Sequence, residues 1–166
     1  MKSLMKFIET AYAWFVRAAN LLQAPFLLAV RLYWGWQLGV SGWGKLHNLP
    51  KVTEFFAGLN LPMPAQMAVF ISCVEFFGGI FLALGLASRV TSLVMTVNLI
   101  MAYITADREA LFSIFSDPDK FYAAAPYTFL IASLIVLLFG PGWFSLDTLI
   151  ARYWKKRQKT SPSAAG

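Results

Sequence analysis

Four apolar runs, Leu21 to Trp43, Ala65 to Leu86, Arg89 to Ala106 and Tyr122 to Phe139, limit the folds open to this chain more than any other feature. Each approaches or exceeds the roughly 20 residues an α-helix needs to cross a 30 Å hydrocarbon core. Charged residues make up only 13% of the chain, about half the share usual in a soluble domain. The runs therefore predict an all-α fold, an integral membrane four-helix bundle. The third run is the least hydrophobic and is expected to give the shortest span.

Residues 1–20 carry Leu4, Phe7, Ile8, Ala11, Trp14 and Phe15 at helical spacing, with Lys2, Lys6, Glu9 and Arg17 interspersed. No small-residue cleavage site follows a compact apolar core. This pattern predicts an N-terminal amphipathic helix lying at the membrane interface. The organisation expected is thus 1–20 interfacial helix, 21–150 four-span bundle and 151–166 basic tail ending in the unstructured stretch TSPSAAG. Prolines mark the expected boundaries: Pro25 near the start of span one, Pro126 in the first turn of span four. Ser88 is placed to cap span three and Ser145 the C-terminal helix. The outer stretches KVTEFFAGLN and DREALFSIFSDPDKF are expected to form short surface helices.

The net charge of +6 raises the question of nucleic acid, and the location of the charges answers it. Nine basic residues flank one side of the spans: Lys2, Lys6, Arg17, Arg89, Arg152, Lys155, Lys156, Arg157 and Lys159. The other side holds Lys45, Lys51, Arg108 and Lys120 among a larger number of acids. By the positive-inside rule both termini face the cytoplasm. The basic tail then attracts anionic lipid, not nucleic acid. One cysteine, Cys73, and one histidine, His47, supply no dithiol, no pair of axial haem histidines and no Cys/His metal site.

Glu75 lies inside the second apolar run and Arg31 inside the first. An ionised group at the bilayer centre costs at least about 2.5–3.5 kcal/mol on insertion scales, so each requires a partner. Arg31 shares its helical face with Gly35 and Gly42, and Glu75 shares its own with Gly78 and Gly79. Small-residue faces let helices approach closely. An Arg31–Glu75 ion pair between antiparallel helices is therefore expected, with Asn98 of span three at similar depth. Two roles fit this layer. It locks helices together, or it holds a ligand head group such as a quinone, with Arg31 or Asn98 donating and Glu75 accepting a proton.

Three stretches carry a family likeness. Arg31 followed by Gly42, Gly44, Lys45 and Leu46, the segment VEFFGGIFLALGLASR and the ending GPGWFSLD together resemble the DoxX family over roughly Pro25 to Leu149. The resemblance implies a four-helix prokaryotic membrane protein related to the membrane subunit of thiosulfate:quinone oxidoreductase. It carries over Arg31 and Glu75 as catalytic positions and Lys45 as a cofactor-binding one, to which the depth of Asn98 on span three adds a second cofactor-binding position. The function expected is a quinone-interacting subunit of an oxidoreductase system in the inner membrane, with a soluble or secreted redox partner. The alternative is a non-catalytic scaffold that recruits a soluble partner, the Arg31–Glu75 pair being purely structural. Glycine-rich faces also permit a homo-oligomer.

Overall fold

The computed structural model describes residues 2–160, with side chains for 5–158. Among the described residues eight helices follow one another: α1 (Lys2–His47), α2 (Leu49–Gly58), α3 (Pro64–Leu84), α4 (Ser88–Thr105), α5 (Arg108–Phe112), α6 (Pro118–Ala123), α7 (Tyr127–Phe139) and α8 (Leu146–Thr160). α1 packs on α3, α3 on α4, α4 on α7, and α7 returns to α1. The fold is all-α, and its bundle is a closed ring of four antiparallel helices. One end, the loop end, carries α2, α5 and α6. The other, the tail end, carries the α3–α4 turn and the α7–α8 connection. The expectation of an unstructured TSPSAAG tail falls, from Ser161 onward, outside the described residues.

Among the described residues three helices, α1, α3 and α4, are long and apolar enough to cross a membrane. The short one is α7, at 13 residues, and not α4. Pro126 is the reason. Its ring disfavours a helical Ala125, so the apolar run from Tyr122 breaks at Ala124–Pro126 and α7 starts afresh with Pro126 at its N-cap. At 1.5 Å per residue α7 covers only about 20 Å. Proline has the opposite outcome in α1, which runs unbroken through Pro25. Residues 2–20 and the first span are thus one helix, although an internal proline removes one backbone hydrogen bond.

Glycines set how closely α1 and α3 approach. A Cβ added at Gly35 would lie 2.7 Å from the Ala83 nitrogen and 2.8 Å from the Gly79 carbonyl oxygen. At Gly42 it would lie 2.7 Å from the Phe76 Cα, and at Gly79 2.7 Å from the Gly35 oxygen. These are backbone atoms and cannot rotate away, so only hydrogen fits. The contacts also fix the axial register, with Gly42 level with Glu75–Phe76 and Gly35 level with Gly79–Ala83. Between the ends, Val30, Leu38, Leu82, Met95, Ala132 and Val136 fill the ring, each at 3% exposure or less.

Candidate functional site

The predicted Arg31–Glu75 pair does not form. Arg31 is fully buried at the tail end, where its Nη2 donates to the Phe144 carbonyl and its Nε to Leu27 O at 3.4 Å. Two physical facts separate it from Glu75. The glycine register places Arg31 level with Gly85, roughly 16 Å along the axis from Gly42 and Glu75. In addition, Cα–Cβ bonds tilt toward each helix's N-terminus. In antiparallel α1 and α3 this sends Arg31 toward the tail end and Glu75 toward the loop end. Gly85 makes room for the guanidinium: its φ is +69°, and a Cβ there would overlap Arg31 Nη1.

The same tilt brings Lys45 to Glu75. Lys45 lies in the last turn of α1 and leans back into the bundle, where its Nζ forms an ion pair with Glu75 Oε1. Ser41, one turn earlier on α1, donates to Glu75 Oε2 at 3.1 Å. Glu75 is 6% exposed and accepts from both. A buried carboxylate with a cation and a hydroxyl bears its desolvation far better than one left alone. Ser41 was not singled out from the sequence, although its spacing of four from Lys45 puts both on one helical face.

These groups form part of the wall of a cavity of about 300 Å³ at the loop end. α1 contributes Leu38, Ser41 and Lys45; α3 contributes Met67, Ile71 and Glu75; α4 contributes Asn98, Leu99 and Ala102. Phe55 and Phe56 of α2, Leu59 just after it and Phe129 of α7 add apolar side chains, and Thr105 and Asp107 add polar ones. The Asn98 side chain, half-buried on this wall, has no hydrogen-bond partner among the described residues. Three of the four residues expected at a site thus share one cavity: Lys45, Glu75 and Asn98. Arg31 is not among its lining residues.

Arg31 belongs to a second polar assembly built from GPGWFSLD. Asp147 Oδ1 accepts from Ala87 N at 2.7 Å and Oδ2 from Ser88 N at 2.8 Å, while Asp147 N donates to Gly85 O at 3.0 Å. The carboxylate therefore caps α4 from outside, where the helix dipole favours negative charge. Ser88, the expected cap, makes no side-chain bond. Ser145 does cap α8, accepting from Thr148 N at 3.2 Å.

The family's model matches residues 26–108, from the start of the bundle through the cavity-lining part of α4. The chain belongs to the DoxX family. It is a multi-pass membrane protein. It is also 28% identical, over 123 residues covering 74% of this chain and 85% of the relative, to a Bacillus subtilis (strain 168) protein named "Putative oxidoreductase CatD". No solved structure matches the chain.

Proposed function

We propose that this DoxX protein is a quinone-interacting subunit of a membrane oxidoreductase system, with the loop-end cavity as its site. The observation that carries the reading is the Asn98 amide, without a partner among the described residues, on the wall of a mostly apolar cavity that also presents the Lys45–Glu75 pair. The donor set suits a quinone head group: Asn98 and the remaining Lys45 N–H groups donate to carbonyl oxygens, and Glu75 accepts from a hydroxyl. The volume is at the lower end of the range for small-molecule pockets, enough for a ring with its tail leaving the cavity. A quinone would supply a carrier of two electrons and two protons, with Lys45 and Glu75 orienting it and exchanging protons. The name of the Bacillus relative points to the same class of chemistry. The basic residues flanking the tail end support an inner-membrane orientation with both termini cytoplasmic.

The test is quinone bound per protein after detergent purification, in wild type, Glu75→Gln and Asn98→Leu. Near-stoichiometric quinone in wild type, reduced at least tenfold in variants that keep their melting temperature, is the expected result. Wild type that folds but carries no quinone, and gains none on reconstitution, would sink the reading.

One observation favours a second reading, a non-catalytic scaffold for a soluble partner. Phe112 and Phe115, in the loop-end segment between α4 and α7, are 72% and 96% exposed. Capture of a partner that Phe115→Ser abolishes and Glu75→Gln leaves untouched would support it.

A further inference from the structure

We propose that water, and with it the Glu75 proton, reaches the cavity from the loop end alone. The consequence for ligand chemistry rests on the quinone reading: protons of a bound quinol would exchange with the loop-side phase and not with the tail side. The access route itself stands on the geometry of this chain.

At the loop end the cavity is open through polar groups. The Lys45 side chain, in the last turn of α1, is 35% exposed while that of its partner Glu75 is 9% exposed, so the pair runs from the surface of the loop end inward. Ala106 and Asp107 line the cavity and also line a second depression of about 490 Å³, on the surface, with Arg108, Glu109 and Lys120. The two spaces share a wall, and the outer one is charged. Three titratable groups border the cavity: Lys45 from α1, Glu75 from α3 and Asp107 after α4. α2 and α7 contribute only apolar side chains to it.

Toward the tail end the cavity stops. Val30, Leu38, Leu82, Met95, Ala132 and Val136 close the ring there. Close-packed apolar interiors leave no room for water chains. Below them Arg31 and Asp147 are engaged with the backbone of the connecting turns. The competing route is a file of buried hydroxyls without partners, Ser88, Ser92 and Thr96 on α4 and Ser133 on α7. None of them borders the cavity, whose α4 wall begins at Asn98.

Single cysteines test the route in a Cys73→Ser background of the full chain. Ile71→Cys and Ala102→Cys report the cavity wall, and Ala151→Cys on α8 reports the tail side. A charged, membrane-impermeant thiol reagent is applied to one face at a time of sealed vesicles in each orientation. Positions 71 and 102 are expected to react at least tenfold faster from the face opposite to the one that labels position 151. Comparable reaction from the position-151 face would overturn the proposal and implicate the hydroxyl file. No reaction from either face, with reaction in denaturant, would overturn it too. Added ubiquinone analogue tests the quinone reading separately: slowed labelling at 71 supports it, and unchanged labelling sinks that reading while leaving the access result intact.

Discussion

The two ends of the bundle each bury charge, and they treat it differently. At the tail end Arg31 and Asp147 make their hydrogen bonds to backbone, tying α1 to the α7–α8 connection and that connection to the start of α4. A Cβ at Gly85 would meet this assembly from two sides, 2.6 Å from Ser145 Cβ and overlapping the guanidinium. At the loop end Lys45 and Ser41 both bond Glu75, and the Asn98 side chain has no partner among the described residues, beside a cavity. Polar groups held by backbone partners in a full space make a lock, even where one buried nitrogen, Arg31 Nη1, is left without a partner among the described residues. Polar groups that keep free lone pairs and protons beside an open space make a candidate site. Burial and charge alone would not separate the two, since Arg31 is more deeply buried than Glu75.

Four substitutions probe that contrast. Gly79→Leu should have the largest effect, because the atoms its Cβ meets are α1 backbone. Both ends would be lost together, with destabilisation beyond about 3 kcal/mol read as absence of a folded, monodisperse protein in detergent. Arg31→Met should cost about 1–3 kcal/mol by leaving the part-buried Phe144 carbonyl without its donor. Its melting temperature should fall while quinone per folded molecule holds, and lost quinone in a still-folded variant would erase the distinction between the ends. Asp147→Ala removes the cap of α4 and should cost about 1–2 kcal/mol, visible as faster amide exchange at Ala87 and Ser88 with the cavity intact. Ser41→Ala should be the mildest, at about 1 kcal/mol, and should act in the opposite sense. It lowers the melting temperature by only a few degrees and weakens quinone retention several-fold, whereas Ser41→Thr, which keeps the hydroxyl, restores it.

Much of the architecture was legible in the residues. Apolar run lengths gave the helical class, α2, α5 and α6 overlap the two stretches expected to form surface helices, and the Gly35, Gly42 and Gly79 faces marked where α1 and α3 meet. Glu75 and Asn98 were read as lying at one depth, and Lys45, carried over by the family likeness alone, lines the same cavity. The two prolines were harder to read, because whether a helix breaks at Pro126 or continues through Pro25 depends on what its neighbours satisfy. Asp147 lay in plain view in GPGWFSLD, but nothing local shows that its carboxylate reaches a helix start 60 residues away in sequence.

By itself the sequence determined that this chain is helical, membrane-spanning and obliged to neutralise two charges inside its spans, since those requirements follow from side-chain chemistry and the cost of burying charge. Which partners neutralise them was decided only in three dimensions. Glycine contacts set the axial register of α1 against α3, and the tilt of Cα–Cβ bonds toward each N-terminus points side chains on antiparallel helices in opposite directions. Arg31 and Glu75 therefore diverge by roughly 16 Å along the bundle, and Lys45, entering from the far end of α1, meets the glutamate instead.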